Sequence, residues 1–262
     1  MKKAVIVFES VLLSLLIALT TLIVFPRLSE EEKDSTSMLT TYEPVAINFD
    51  YDPFSEYKID GYSSEQLFEF FTEIVHTAEF SDGDSVHQLT QKWLTPIRYR
   101  ILGAPTDEDM RILNEFFEQL NALYYFPGIY EATEDEEENL TIYFIDRNLF
   151  DITFGDAIDH EYADGATEYW FYTDTSEIYM GRIGYVTDTD QQTRNSVLIE
   201  EIVNVLGISD TYIREDSIVY QYSDSNVELS EIDWMIVKTL YHPLILPGMT
   251  AEECKNTPLF SY

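Results

Sequence analysis

The sequence predicts an α+β domain in which a mixed sheet packs on helices, preceded by a transmembrane helix. Three observations support this fold class. An almost wholly apolar run opens the chain at residues 4–25. Segments with strand-like alternation and segments with helical spacing of apolar residues follow one another after residue 63. The 262 residues are 45% hydrophobic and 15% aromatic, which is enough to bury a core.

The N-terminal run favours an uncleaved membrane anchor, assigned to residues 1–27. It follows Lys2 and Lys3 and is interrupted by Glu9, and about 20 apolar residues suffice to cross a bilayer. A signal peptide has a shorter apolar region and a small-residue cleavage site, and neither is obvious here. The two lysines predict that the rest of the chain lies outside the cytoplasm. The expected location is the cell membrane with a single pass, and secretion after signal cleavage is the alternative.

The remaining chain divides into a stalk and one domain. Residues 28–63 are rich in acidic and hydroxyl side chains without sustained periodicity, which is typical of an extracytoplasmic stalk. The domain is assigned to residues 64–262. Helical spacing at 64–78 predicts its first helix, and alternation at 96–103 predicts a strand that precedes a helix at 105–124.

The second half of the domain continues with strands and ends with helices. The sequence predicts strands at 140–145, 168–173 and 178–187, a helix at 191–206 and a last helix at 228–240. Asp190 suits a helix N-cap, and Gly207 suits the end of the preceding helix.

Charge and cysteine content exclude several function classes. The formal charge of −34 makes the chain repel phosphate backbones, so we expect no nucleic-acid partner. Cys254 is the only cysteine, which excludes an intramolecular disulfide and a thiolate zinc cluster. The four histidines are scattered without metal-ligand spacing, and we expect partly exposed or core-edge positions for them.

The most informative segment is residues 200–210, EEIVNVLGISD. Glu201, Gly207 and Asp210 fit the zinc-peptidase pattern H-E-x-x-H-x-x-G-x-x-H/D, in which two histidines on one helix face hold zinc. Glu200 and Asn204 occupy the two histidine positions. Because both replacements are oxygen donors, zinc affinity should be greatly weakened.

Further segments make the chain similar to metzincin-like zincin domains. Residues 217–220 (SIVY) resemble the Met-turn beneath the metal, and residues 229–241 resemble the closing helix of that clan. The chain also resembles bacterial domain-of-unknown-function family 2927, a group of envelope proteins and lipoproteins. Four stretches carry that second resemblance: 92–98, 200–207, 216–218, and 240–243 together with 247–250. The two resemblances imply a zincin-like fold with a degenerate metal site.

The site residues leave two interpretations open. Glu200, Asn204 and Asp210 can converge as oxygen donors, which suit calcium, magnesium or manganese better than zinc. We expect these degenerate ligand positions to be vacant and hydrogen-bonded, with no cofactor; weak binding of a divalent cation is the alternative. Glu201 is catalytic only if the protein is active, because a general base needs a water that a metal has acidified. Otherwise it is a solvated or hydrogen-bonded helix carboxylate.

The sequence therefore favours a membrane-anchored pseudo-peptidase that is not an enzyme. Its expected partners are the membrane, through the N-terminal helix, and a peptide, glycan or envelope protein bound in the cleft. A metal-dependent hydrolase with an oxygen-ligand cation site is one alternative, and a structural surface spacer is another.

Overall fold

The computed structural model describes residues 54–77, 88–155, 163–222 and 225–261. The predicted anchor at 4–25 and most of the predicted stalk lie outside these residues. Within the described ranges, no helix combines the length and hydropathy needed to cross a bilayer.

The described residues contain six strands, which form one mixed sheet. They are β1 Lys92–Trp93, β2 Ile97–Gly103, β3 Ile129–Glu131, β4 Leu140–Ile145, β5 Gly165–Phe171 and β6 Glu177–Val186. The strands run in the order β3-β2-β4-β6-β5, and β1 pairs with the start of β6. Only β5 is antiparallel to its neighbour. Among the described strands β5 pairs with β6 alone, so it forms an edge of the sheet.

The described residues also form six α-helices. They are α1 Ser64–Val75, α2 Asp107–Asn121, α3 Arg147–Phe154, α4 Gln191–Val205, α5 Glu231–Tyr241 and α6 Ala251–Lys255. Each begins at a residue whose side chain accepts a hydrogen bond from the first helical turn. The caps are Ser63, Thr106, Asp146, Asp190, Ser230 and Thr250. Local sequence therefore fixes where the helices start, and the predicted cap at Asp190 is confirmed.

The two faces of the sheet bury different clusters. The main core contains α1, α2, α4 and α5, and it includes Ile183 and Tyr185 of β6. A smaller cluster forms where α3 covers the other face with Phe150 and Phe154. Alternation along β6 explains the division, because successive side chains of a strand point to opposite faces.

A buried ion pair joins α2 to α4. Arg194 Nε lies 2.9 Å from Asp109 Oδ1, and both side chains are at most 5% exposed. Burial by itself raises the pKa of Asp109, but hydrogen bonds from Arg194 and from neighbouring groups outweigh it and hold the pKa below its ordinary value. This pair fixes the start of α4, which carries the candidate site.

Lys92 connects two of the stretches that carry the family resemblance. Its buried ammonium donates to the carbonyl oxygens of Leu240 (2.9 Å), His242 (3.4 Å) and Ile245. These carbonyls lie at and after the end of α5, where a helix leaves acceptors unsatisfied. Burial lowers the pKa of Lys92 to about 8. The side chain of Lys92 thus connects the stretch at 92–98 to the stretch that begins at 240.

The prediction of a mixed sheet packed on helices is confirmed, with shifted boundaries. The last helix begins at Glu231 rather than at 228, because Ser230 forms its capping box. The helix predicted at 105–124 ends at Asn121, and the first helix ends at Val75. Strands β1 and β3 and helices α3 and α6 were not predicted.

Residues 54–63, assigned to the stalk from composition, pack against the domain. Tyr57 and Ile59 are buried in the main core, and a 3-10 turn spans Ser55–Tyr57. The domain core therefore includes residues before α1.

Candidate functional site

Helix α4 carries the motif and lies against β5 and β6. Four side chains donate hydrogen bonds to carbonyl oxygens on α4 or at its end: Trp93 Nε1 to Val205 (2.8 Å), Thr167 Oγ1 to Glu201 (2.9 Å), Tyr185 Oη to Leu198 (2.7 Å) and Tyr241 Oη to Leu206 (3.0 Å). These donors come from three strands and from α5. The position of the motif is therefore fixed from both sides of the helix.

Gly207 ends the motif helix, as predicted. Its φ is +97°, and a Cβ there would lie 2.2 Å from the backbone oxygen of Gln91. Only glycine tolerates both the left-handed backbone and this close approach. The chain reverses at Gly207, and Asp210 follows three residues later.

The loop that carries Asp210 is fastened to α1. Ser209 N donates to Ile74 O at 2.7 Å. The carboxylate of Glu73 accepts from Thr211 Oγ1 at 2.8 Å and from Tyr212 N at 2.9 Å. Glu73 was not predicted from the sequence, because a single acidic residue on a helix gives no signal of a contact 138 residues away.

The segment that resembles a Met-turn is anchored by the closing helix. Asp233 of α5 accepts hydrogen bonds from Ser217 Oγ (2.7 Å) and Ile218 N (3.1 Å), and its Oδ1 lies 2.8 Å from Nη1 of buried Arg214. Val219 is buried, and its carbonyl accepts from Thr211 N at 2.8 Å. The segment thus lies beside the loop that follows Asp210. The roles of Arg214 and Asp233 were not predicted from the sequence.

The structure brings Asn204 and Asp210 together. Asn204 Nδ2 lies 3.4 Å from Asp210 Oδ1, and this orientation of the amide follows because a carboxylate only accepts. Asn204 Oδ1 is buried and has no hydrogen-bond partner among the described residues. Glu200 lies one turn earlier on the same face of α4 and is partly exposed.

The donor set of this site does not fit zinc. It consists of two carboxylates and one amide oxygen, whereas zinc in proteins is bound mainly by nitrogen and sulfur. Within the described ranges, no group of three or more His, Cys, Asp or Glu side chains is arranged to hold a metal ion.

Glu201 faces β5 rather than solvent. It is 8% exposed, and a Cβ on Gly165 would lie 2.5 Å from its Oε1. Burial raises the pKa of Glu201 to about 8, and the charge of Asp210 adds to this rise. Of the two non-catalytic alternatives, a solvated or a hydrogen-bonded carboxylate, this burial is incompatible with the solvated one. At neutral pH the group is mainly protonated, so it is poorly suited to accept a proton.

Two histidines can be compared with the expectation of partly exposed or core-edge positions: His76 differs from it and His242 agrees with it. His76 is fully buried rather than at the core edge, and its Nε2 lies 3.0 Å from Thr90 Oγ1. His242 is partly exposed among aromatic rings, with the ring of Tyr57 at 5.4 Å. Burial and the charge of Lys92 lower the pKa of His242.

Comparison with known proteins places the chain in a family. No curated protein matches it. The model of one protein family, described as a protein of unknown function (DUF2927), matches residues 64–257. This match includes helices α1 to α6, all six strands and the candidate site. The chain belongs to the DUF2927 family.

Proposed function

We propose that this protein is a membrane-anchored, extracytoplasmic pseudo-peptidase of zincin-like fold, which binds an extended peptide without hydrolysing it. The observation that carries the proposal is the position of the motif helix: α4 lies against β5, the antiparallel edge strand, with Glu201 beside Gly165.

The order of elements supports the zincin-like fold. The resemblance implies the order strand, helix, three further strands, motif helix and closing helix. The structure has these elements as β2, α2, β4, β5, β6, α4 and α5, and α1, β1, β3, α3 and α6 are additional. Asp233 connects the closing helix to the segment that resembles a Met-turn. A zincin-like fold therefore accounts for both the motif helix and the buried contacts behind it.

The chemistry of the site argues against hydrolysis. Asn204 and Asp210 contact each other at 3.4 Å and offer no nitrogen or sulfur ligand for zinc. Glu201 is mainly protonated at neutral pH because burial raises its pKa to about 8. A carboxyl group without metal-activated water contributes about 10²- to 10⁴-fold at most, far below the acceleration of peptidases.

An extended peptide fits the outer edge of β5, which has no partner strand on that side among the described residues. A strand without an outer neighbour presents unpaired N–H and C=O groups, which can pair with an added strand. Side chains at alternate positions of β5 line the same side as Glu201, and they include Thr167, Tyr169 and Phe171. Backbone pairing supplies affinity in such complexes, and pockets for alternate side chains supply specificity.

Three measurements on the full-length chain test the proposal. Elemental analysis should find no stoichiometric zinc, a peptide-library digest should find no cleavage, and an immobilised library of extended peptides should bind saturably. One tightly bound metal per chain with cleavage abolished by Glu201→Gln would establish the hydrolase alternative. Absence of any peptide ligand would reject the proposed function and favour a glycan ligand or the spacer.

The membrane anchor is a separate part of the proposal. It depends on the apolar length of residues 4–25, which suffices to cross a bilayer. Intact-mass analysis of the protein recovered from membranes should give an uncleaved N-terminus. A mature chain that begins beyond residue 19 would replace the anchor by a signal peptide.

A further inference from the structure

A pocket lies between α2, α4 and the segment that leads into α5, on the side of α4 away from the candidate site. Its volume is about 280 Å³, and Asn195, Gln119 and Trp234 are among the residues that line it. Asn195 precedes Asn204 by nine residues, which is about two and a half turns at 3.6 residues per turn, so the two side chains point to opposite sides of the helix. The pocket is therefore separate from the candidate site.

Part of the lining is apolar and aromatic. Trp234 is partly exposed, and its ring lies 5.8 Å from the ring of buried Phe116 on α2. Ile112 and Ile199 line the same pocket. Packing against Phe116 holds the indole in place, and the face of an indole is a flat apolar surface with a polar N–H at its edge. The pocket thus suits a ligand with one flat apolar face.

A chain of hydrogen bonds fixes the orientation of the Asn195 amide. The guanidinium of Arg194 only donates, so the Gln191 atom that it contacts at 2.8 Å is the amide oxygen. The amide nitrogen of Gln191 then donates to Asp109 Oδ1 at 2.7 Å and to Asn195 Oδ1 at 2.9 Å. Asn195 is partly exposed, and its Nδ2 has no acceptor among the described residues. The buried ion pair between α2 and α4 therefore holds Asn195 with its donor available to a ligand.

The charges around the pocket disfavour an anionic ligand. Arg111 lines the pocket, but its guanidinium is paired with Glu115 and with Glu108, each at 2.7 Å. Glu228 also lines the pocket and is exposed. A phosphate or carboxylate would meet a neutralised guanidinium and an additional negative charge. A simple cation would leave the Asn195 donor unused.

We infer that this pocket binds a neutral pyranose sugar. One face of a pyranose carries C–H groups and stacks on the indole of Trp234. Its hydroxyls both donate and accept, so they accept from Asn195 Nδ2, donate to Glu228 and pair with the amide of Gln119. The volume of about 280 Å³ is just below the range of roughly 300–1,000 Å³ for drug-sized ligands, which fits a single ring. This second site is independent of peptide binding at β5.

Ligand-observed NMR titration of the full-length chain, kept in a detergent without a sugar headgroup, tests the inference. The probes are the methyl glycosides of glucose, galactose, mannose and N-acetylglucosamine. At least one should bind with a Kd of about 1 mM or tighter. Asn195→Asp keeps the acceptor for Gln191 but removes the donor, and it should weaken that affinity at least about 10-fold. Asn148→Asp, at an exposed position on α3, adds the same charge far from the pocket and should leave the affinity unchanged.

A second variant and two competitors complete the test. Trp234→Leu removes the stacking face and should abolish binding; if this variant does not fold, Asn195→Asp decides. The inference is overturned if no glycoside binds, or if Asn195→Asp leaves the Kd unchanged. Displacement of the glycoside by inorganic phosphate or by tetramethylammonium at equal concentration would also overturn it, because the pocket would then recognise charge. A tetrasaccharide of the same sugar that binds at least about 10-fold more tightly would identify the ligand as part of a glycan, and equal affinity would identify a free sugar.

Discussion

Replacing Glu201 by glutamine should make the stability of the domain less sensitive to alkaline pH. The carboxyl group is 8% exposed and faces β5, and burial raises its pKa from the ordinary value of 4.5 to about 8. The folded state therefore holds a proton that the unfolded state releases above pH 4.5. The stabilising contribution is complete below that pH and is lost as pH rises through 8.

The two pKa values fix the size of the effect. Where the folded state is protonated and the unfolded state is not, each increase of one pH unit lowers the free energy of unfolding by about 1.36 kcal/mol. Between pH 5 and pH 9 the wild-type chain should therefore lose about 4 kcal/mol of unfolding free energy through this group. For a domain of this size 1 kcal/mol corresponds to about 2–4 °C in Tm. The wild-type Tm should therefore fall by roughly 8–16 °C more than that of Glu201→Gln.

The assay is thermal unfolding of both chains at pH 5, 7 and 9, followed by circular dichroism. Other groups titrate in the same range, including Lys92, whose pKa is lowered to about 8, but they are common to both chains and cancel in the difference. Glu252→Gln, at an exposed position on α6, serves as the control and should follow the wild type. Parallel pH profiles for wild type and Glu201→Gln would show that the Glu201 carboxyl is ionised in the folded state, where it would be available as a general base.

Three further variants, one of them a double substitution, test the fold and the site. Arg194→Ala leaves its buried carboxylate partner on α2 uncompensated and should cost about 3–5 kcal/mol in urea denaturation; a loss below about 1 kcal/mol would contradict the role of the pair. Gly207→Ala should lower the free energy of unfolding by at least about 1 kcal/mol more than Gly61→Ala does. Both glycines have positive φ, but of the two only Gly207 would place a Cβ 2.2 Å from a backbone oxygen. Glu200→His with Asn204→His should raise zinc affinity at least about 100-fold by isothermal titration; a folded double variant without this gain would reject the zincin analogy at the site.

Long periodic elements could be predicted from sequence, and short ones could not. Helix α4 spans four turns with an apolar side and a cap at Asp190, so pattern and local chemistry agree. Strands β1 and β3 contain two and three residues, too few to show a period of two. Their presence depends on pairing with distant strands. Helix α3 has eight residues and follows β4 after a single residue, so its start merges with the apolar strand pattern.

The site could be predicted only in part. The motif lies on one helix, whereas the side chains around it come from several segments. Spacing alone placed Glu200 and Asn204 on one face and predicted the turn at Gly207. It could not show that Glu201 is buried against Gly165, since this contact depends on how β5 crosses α4. The raised pKa of Glu201 follows from that burial and was equally beyond sequence reasoning.

Two carboxylates position the loops that follow the motif helix. Glu73 fastens the loop after Asp210 to α1, and Asp233 fastens the segment at 217–220 to α5. Both acceptors are carboxylates that receive two or more hydrogen bonds, which makes each connection specific in geometry. The loop after Asp210 and the segment at 217–220 are therefore held in place by α1 and α5 of the protein itself.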